Sequence, residues 1–428
     1  MYRILWDYSN ESRDLSFGRI SVGEDASLPA SAAVALLLAA ASPAAALHFD
    51  LSANTPDRQP YQVGGHGIEP GGSSTDFAFS VAVPEGLYRV TVRLGDPRVT
   101  GETTVKAEAR RLVLRGVATR AGQVVTRSFL VDVRTPALPA PPPNAPGGSA
   151  VRIDARDRAE YTWDDKLTLE FLGDPRVTSV DIASATAPTL YLVGDSTVTD
   201  QSAEPYASWG QMLPAMLDDS IAVANHARSG ATLKSFLTDL RFDKVLSRIR
   251  PGDWLFIQFG HNDQKAEWPQ TYAAADTTYP AYLAAYVAEA RRRGAYPVLV
   301  TSPERRTFDA RGRIKATLGG YPQAVRALAK AQHVPLIDLN ADSRAIYQAL
   351  GPTVAPRAFA NAGADLTHND NYGAWLLASA VVERIRATIP ALAQHIVMPR
   401  FSPDHPPLPA AVTIVASAGR AAERPAGS

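Results

Sequence analysis

The sequence predicts an all-β sandwich followed by a doubly wound α/β domain. Residues 48–183 contain segments in which apolar and polar residues alternate, separated by Gly, Pro and Asp, which is typical of short antiparallel strands. From Thr189 onward, nearly continuous apolar strands alternate with amphipathic helices, which predicts a parallel sheet covered on both faces. The chain has 428 residues, a length that suits two domains of these kinds.

The β part is placed at residues 47–186. Its predicted strands are 77–83, 88–94, 104–114, 124–134 and 166–172. The Pro-rich stretch 138–148 cannot pair within a sheet, because proline lacks the backbone donor, so we predict a loop there.

The α/β part is placed at residues 187–398. Its predicted strands are 189–195, 253–260, 296–303 and 334–340. The predicted helices are 235–249, 282–294, 321–333 and 372–389. The Pro/Ala-rich tail at 399–428 is expected to be poorly ordered.

The first 46 residues are predicted to be a leader. Residues 31–46, SAAVALLLAAASPAAA, combine an apolar run with small residues, which is typical of a signal peptide cleaved near Ala46. The run is short for a membrane-spanning helix. We therefore expect a secreted or periplasmic protein. An Ala-rich disordered leader remains the alternative, and residues 1–30 are unusually long and mixed in charge for a signal peptide.

Composition excludes several classes of chemistry. Lys plus Arg and Asp plus Glu number 43 each, so the formal net charge is zero and nothing indicates nucleic acid or an acidic membrane surface as partner. The chain has no cysteine, which excludes disulfides, thiolate metal sites and a Cys nucleophile. The HExxH and CxxC patterns are absent, so we expect neither a catalytic metal nor a cofactor. The oligomeric state stays open.

Residues suited to acyl transfer follow the predicted strands. Ser196 in GDST comes after the first strand of the α/β part, and the DxxH pair Asp365 and His368 precedes the last helix. Because ligands bind at the carboxyl ends of parallel strands, these segments are expected to converge. Ser196 would be the nucleophile, His368 its base, and Asp365 the group that orients the imidazole. Taken singly, each motif could equally be a helix cap.

Three groups are candidates for stabilising an oxyanion. They are the Ser196 N–H, the side-chain amide of Asn262 in GHND, and the N–H of Gly230 before a predicted helix. His261 and Asp263, which flank Asn262, are predicted to support its loop.

Together these segments resemble the SGNH (GDSL-like) hydrolases, and within them the rhamnogalacturonan acetylesterase branch of the carbohydrate esterases. The resemblance rests on GDSTVTDQ, SWGQMLP, FIQFGHNDQK and THNDNYGA, with WDDKLTLEF in the β part, and covers residues 48–395. It implies a flavodoxin-like sheet after a galactose-binding-like β module, and removal of acetyl groups from plant-cell-wall polysaccharide, as in pectin degradation. It also implies Ser196, Asp365 and His368 as the triad, with Gly230 and Asn262 as oxyanion donors. One departure is Ala231, where the family commonly has Arg, which leaves the exact substrate open.

Three further residues are candidates for substrate binding. Trp268 follows GHND and could be a platform for a sugar ring. Arg305 and Arg306 follow the third predicted strand of the α/β part and could bind uronic-acid carboxylates through their planar guanidinium groups. The alternative for the two arginines is a solvated loop face.

Other functions remain open at this stage. An acetylxylan esterase, a lipase or a thioesterase could use the same scaffold, although the polar loops QSAEPYAS, QKAEWPQ and ERRTFDARGR favour a hydrophilic substrate. An inactive carbohydrate-binding protein is the rival outside the enzymes, and the β module could bind sugar or only support the fold.

Overall fold

The computed structural model describes residues 46–71 and 75–417. The predicted leader and signal peptide lie outside the described residues, apart from Ala46 at their end. Residues 418–428 of the predicted tail also lie outside them.

The β module consists of two antiparallel sheets packed face to face. Its strands are β1 (Leu47–Asp50), β2 (His66–Ile68), β3 (Phe77–Ala82), β4 (Gly86–Leu94), β5 (Gly101–Ala107), β6 (Arg111–Thr119), β7 (Val125–Val133), β8 (Lys166–Asp174) and β9 (Val177–Ser184). One sheet has the order β1-β9-β4-β7 and the other β2-β3-β8-β5-β6. Alternate residues such as Val90 and Val92 point into the core between the sheets, as the sequence pattern predicts for a sandwich.

The α/β domain contains a parallel sheet of flavodoxin-like order. Its strands are β10 (Thr189–Gly194), β11 (Ala222–Asn225), β12 (Trp254–Gln258), β13 (Tyr296–Val300) and β14 (Leu336–Ile337). They are arranged β11-β10-β12-β13-β14, and every pairing is parallel. In this order β10, the first strand of the domain along the chain, lies between β11 and β12. The strand order reverses its direction at β10, and ligands of such sheets bind at this topological switch point. The predicted fold class is confirmed.

Helices cover both faces of this sheet, and one short helix lies within the β module. They are α1 (Ala155–Ala159), α2 (Trp209–Met212), α3 (Leu233–Thr238), α4 (Arg241–Arg248), α5 (Thr278–Arg292), α6 (Tyr321–Gln332), α7 (Leu339–Val354), α8 (Asn371–Thr388) and α9 (Pro390–Ala393). None of the helices in the described residues combines the length and apolar character that a membrane-spanning segment needs.

Several predicted elements differ from the observed ones. The segment 104–114, predicted as one strand, is a hairpin in which Glu108 and Arg110 adopt positive φ between β5 and β6. The segment 235–249 is two helices, because Leu240 between them has φ +60° and is the N-cap of the second. The strand predicted at 334–340 is only two residues long, since the Asp338 side chain accepts the Ala341 N–H and caps α7. Strands β1, β2, β9 and β11 and helices α1, α2, α7 and α9 were not predicted.

The two parts of the chain share a buried polar interface. Arg111 of β6 extends into the α/β domain, where its Nε donates to Asp200 Oδ2 at 3.0 Å. Arg134 Nη2 donates to the carbonyl oxygen of Asn225 at the end of β11, at 2.6 Å. Leu112 packs within the apolar core of the α/β domain. The described residues therefore form one compact unit.

The expectation of a poorly ordered tail is wrong for residues 399–417. Val412 belongs to the core beneath α8, and the Tyr372 hydroxyl donates to Pro407 O at 2.7 Å. Ser417 is buried and accepts a hydrogen bond from Lys106 of the β module at 3.0 Å. The segment has one short 3₁₀ helix, Pro409–Ala411, and is otherwise irregular. A few apolar and polar contacts hold it in place, and its composition does not reveal them.

Candidate active site

A tight turn places Ser196 at the carboxyl end of β10. Gly194 closes the strand, and a Cβ there would lie 2.5 Å from the carbonyl oxygen of Gln258 on β12. Next, Asp195 stabilises the turn, because its Oδ1 accepts the backbone N–H and the hydroxyl of Thr197 at 3.0 and 2.8 Å. Its own carbonyl accepts the N–H of Val198 at 3.0 Å. Ser196 is thereby presented at the sheet edge, with only 4% of its surface exposed.

His368 links Ser196 to Asp365 through its two ring nitrogens. Ser196 Oγ lies 2.9 Å from His368 Nε2, and His368 Nδ1 lies 3.0 Å from Asp365 Oδ2. A carboxylate can only accept, so Nδ1 carries the proton and Nε2 is left to accept from the serine hydroxyl. The structure therefore brings together the three residues predicted for the triad.

Asp365 is held as a carboxylate by its surroundings. Burial alone would raise its pKa, but the hydrogen bond and charge of His368 oppose this, and the backbone N–H groups of His368 and Thr367 donate to Oδ1 at 2.8 and 2.7 Å. The net result is a pKa lowered to about 2.

Two backbone N–H groups lie in the segments predicted for the oxyanion site. Within the described residues, neither the Ser196 N–H nor the Gly230 N–H has a hydrogen-bond acceptor. Gly230 has φ +80°, a conformation that L side chains rarely adopt. Asn262 Nδ2 donates to the carbonyl oxygen of Ala231 at 3.1 Å, which joins the GHND loop to the Gly230 loop.

The flanking residues His261 and Asp263 brace these loops. His261 Nε2 donates to the carbonyl oxygen of Pro303 at 2.9 Å, while Nδ1 lies 3.5 Å from Asp195 Oδ2. Asp263 Oδ1 accepts the N–H of Leu233 at 2.9 Å, and burial raises the pKa of Asp263 to about 7. These are contacts of structural support, as expected.

Two residues missed in the sequence lie against the triad. Gln201 Nε2 donates to the carbonyl oxygen of Ser196 at 2.6 Å. The Tyr206 ring packs edge-on against the His368 ring, with centroids 5.9 Å apart, and its hydroxyl accepts from Asn361 at 2.7 Å. Both lie in the loop after Ser196, and no spacing distinguished them from other polar loop residues.

The three predicted substrate-binding residues lie outside this hydrogen-bonded group. Trp268 is 39% exposed, and the Lys265 ammonium lies 4.2 Å from its ring centroid. Arg306 is hydrogen-bonded to the loop that carries Asp365. Its backbone N–H donates to Leu366 O at 2.8 Å, and its guanidinium donates to Gly363 O. Burial lowers the pKa of Arg305. For Arg306, holding the loop is the role that its contacts support.

The chain is similar in sequence to known ester hydrolases. The chain matches the GDSL-like lipase/acylhydrolase family over residues 192–369. A rhamnogalacturonan acetylesterase of Bacillus subtilis is 39% identical over 221 residues, which are 49% of this chain and 94% of that protein. An uncharacterized esterase of Bacillus subtilis is 27% identical over 320 residues, 74% of this chain and 75% of that protein. A crystal structure of a Bacillus subtilis protein has 22% identity and a TM-score of 0.46, and covers 80% of this chain and 98% of that one.

The fold and the matches define the class of protein. A parallel sheet of this order, with the GDST segment at its carboxyl edge, is that of an SGNH hydrolase. The chain belongs to the GDSL-like lipase/acylhydrolase family and is a carboxylic ester hydrolase. The resemblance inferred from the sequence is confirmed.

Proposed function

We propose that this protein is a carbohydrate acetylesterase that removes acetyl groups from plant-cell-wall polysaccharide, with acetylated rhamnogalacturonan as its substrate. The observation that carries the proposal is the hydrogen-bonded chain Ser196–His368–Asp365 at the carboxyl edge of the parallel sheet. The choice of polysaccharide is supported by the relative named rhamnogalacturonan acetylesterase.

In the first half of the reaction, Ser196 Oγ attacks the acetyl carbonyl carbon. His368 Nε2 takes the hydroxyl proton as the C–O bond forms. Asp365 stays ionised, holds Nδ1 and stabilises the imidazolium.

The developing oxyanion would be held by preorganised donors. The N–H groups of Ser196 and Gly230 are available, and the Asn262 amide is oriented by its bond to Ala231. Such donors act more strongly in a site that excludes water than in solution.

The first half ends when the tetrahedral intermediate collapses: the bond to the sugar oxygen breaks, His368 donates its proton to that oxygen, and the acetyl-enzyme remains. In the second half, His368 deprotonates a water molecule, which attacks the acetyl carbonyl carbon. The second tetrahedral intermediate then breaks to acetate as His368 returns the proton to Ser196 Oγ. No step requires a metal or cofactor.

We also propose that the protein is exported, with residues 31–46 as its signal peptide. This rests on the apolar run and small residues of that segment and on a polymeric substrate that cannot enter a cell.

Acetate release tests the function. The substrates are acetylated rhamnogalacturonan, acetylated xylan and p-nitrophenyl esters from acetate to octanoate, with Ser196→Ala as the comparison. We expect release by the wild type with acetate preferred, and background rates for the variant. Faster release from xylan would change the substrate, and a preference for octanoate would indicate a lipase. Absence of any hydrolysis by folded wild type would refute catalysis.

A further inference from the structure

The loop of residues 201–206, which follows the Ser196 turn, contacts both partners of the proton transfer. At its start, Gln201 Nε2 donates to the carbonyl oxygen of Ser196 at 2.6 Å. At its end, the Tyr206 ring packs edge-on against the His368 ring, with centroids 5.9 Å apart. A displacement of this loop would therefore remove support from the serine, from its base or from both.

The 201–206 loop contains no helix or strand. Its backbone turns through a hydrogen bond from the Tyr206 N–H to the carbonyl oxygen of Ala203 at 3.2 Å. One turn of this kind does not fix a six-residue segment relative to the sheet, so contacts from outside the loop must set its position.

Arg110, in the turn between β5 and β6 of the β module, supplies such contacts from one guanidinium group. Its Nη1 donates to the carbonyl oxygens of Gln201 and Tyr206, both at 2.9 Å. Its Nη2 pairs with the Glu204 carboxylate, and its Nε donates to Ser417 Oγ at 3.3 Å. One planar side chain thus holds both ends and the middle of the loop.

These contacts are shielded from water. The side chains of Arg110 and Glu204 are only 5% and 19% exposed. Burial alone would raise the pKa of Glu204, but the charges of Arg110 and Lys106 outweigh it and lower the pKa, so the carboxylate stays ionised. Charge-assisted hydrogen bonds in such surroundings are stronger than those exposed to solvent.

The turn that carries Arg110 is itself held from both sides. Within the module, Glu108 Oε1 accepts the N–H of Thr168 in β8 at 3.1 Å. From the α/β domain, Gln211 Nε2 of α2 donates to the carbonyl oxygen of Ala109 at 2.9 Å. The guanidinium group is therefore presented to the loop from a fixed position.

We propose that Arg110 is a positioning residue for ester hydrolysis, which acts from the β module through the 201–206 loop to keep Ser196 and its base at hydrogen-bonding distance. This rests on the proposed Ser196 mechanism and gives the β module a part in the reaction. Because Arg110 acts through the loop and not on the substrate, its loss should lower kcat and leave KM nearly unchanged.

Kinetics on p-nitrophenyl acetate test this role. Titration with a p-nitrophenyl phosphonate ester counts the competent sites, so that unfolded protein is not mistaken for slow protein. For Arg110→Met we expect kcat per competent site to fall about tenfold to a hundredfold, since small misplacements of reacting groups cost rates of this order. Arg110→Lys keeps the charge beside Glu204, and so should fold, but it lacks the planar fork and should also lower kcat.

Arg248→Met is the matched control. Arg248 also joins the α/β domain to the module, because its Nη2 donates to Asp132 Oδ1 of β7 at 2.6 Å and its side chain is only 16% exposed. It lines a crevice with Thr189, which lies at the other end of β10 from Ser196. We expect a lower midpoint of thermal unfolding in this variant, but an unchanged kcat per competent site.

A double variant shows whether Arg110 acts through the loop. Adding Gln201→Met to Arg110→Lys should reduce kcat by less than the product of the two single losses, because both changes weaken the same support.

Three results would overturn the positioning role: wild-type kcat in both Arg110 variants, an equal loss of kcat in Arg248→Met, or losses that multiply fully in the double variant. No hydrolysis of any ester by folded wild type would instead refute the proposed mechanism. Hydrolysis of p-nitrophenyl acetate without acetate release from rhamnogalacturonan would refute only the proposed substrate.

Discussion

At the scale of single residues, the charge of Asp365 links catalysis to stability. Its pKa is lowered to about 2, whereas the pKa of an Asp in an unfolded chain is ~3.9. A lowered folded pKa means that the carboxylate stabilises the fold above the unfolded value and that this contribution is lost as the pH falls toward 2.

For Asp365→Asn we expect kcat to fall by about 10⁴, because the imidazole loses its orienting carboxylate. At pH 7 the variant should also be about 2–3 kcal/mol less stable. Chemical unfolding from pH 7 down to pH 2 checks this, and the difference should shrink as the pH falls. A stability difference independent of pH would contradict the assigned pKa.

Asn262 is expected to act on the transition state. Asn262→Ala removes a candidate oxyanion donor, so kcat should fall by about 10²–10³ with little change in KM. Steady-state kinetics on p-nitrophenyl acetate measures this, with Glu267→Ala in the exposed part of the same loop as control. A rise in KM alone would assign Asn262 to ground-state binding.

At this scale the sequence predicted the three hydrogen-bonded residues of the proposed triad, but not the residues that support them. Ser196 lies directly after a strand, and Asp365 and His368 lie just before the last helix, in motifs that the sequence shows in this order. In the folded parallel sheet these motifs come close together, and the three side chains form hydrogen bonds.

Arg228 could not be predicted, because its partners Asp154 and Asp157 are far away in sequence. Gln201 is close to Ser196 in sequence, but no spacing distinguishes it from the other polar residues of that loop.

At the scale of elements, the active-site turn depends on a close approach by helix α2. A Cβ on Gly210 would lie 2.2 Å from the carbonyl oxygen of Val198 and 2.9 Å from Asn225 Nδ2. The helix can therefore pack behind the turn of Ser196 only with glycine at this position.

For Gly210→Ala we expect destabilisation of about 1–3 kcal/mol through overpacking, together with reduced kcat as the Ser196 turn shifts. Thermal unfolding and esterase kinetics measure both effects. Gly320→Ala is the matched control, since the nearest atom to its added Cβ lies at an ordinary 3.4 Å. Equal stability of the two variants would contradict this, because it would show that α2 shifts to make room for the added Cβ without loss of folding free energy.

Most long strands and helices were predicted, with β9 and α7 as exceptions, and short or interrupted elements were not. Strand β11 has only four residues, too few for a periodic pattern. The β5–β6 hairpin was mistaken for one strand, because its turn residues Glu108 and Arg110 are charged, buried and stabilised by the other parts of the protein.

At the scale of the whole molecule, the two predicted parts are joined by buried charges. Arg111 and Asp200 have side chains that are 2% and 4% exposed, so separating them would leave each charge without its partner in a poorly solvated site. Strand patterns assign such arginines to a solvent face, which is why sequence reasoning predicted the two parts but not the interface between them.

The described chain is therefore expected to unfold as one unit. Calorimetry and tryptophan fluorescence should report a single coincident transition for residues 46–428, and Asp200→Asn should lower the midpoint of the whole transition. Two separate transitions, of which Asp200→Asn shifts only one, would contradict a cooperative interface.

The central claim is that Ser196 is the nucleophile activated by His368. The most direct measurement is covalent labelling with a p-nitrophenyl phosphonate ester, followed by peptide mapping in a mass spectrometer. We predict one label, on Ser196, which is absent from Ser196→Ala and greatly slowed in His368→Ala. A label on another residue, or labelling at an undiminished rate without His368, would contradict the account.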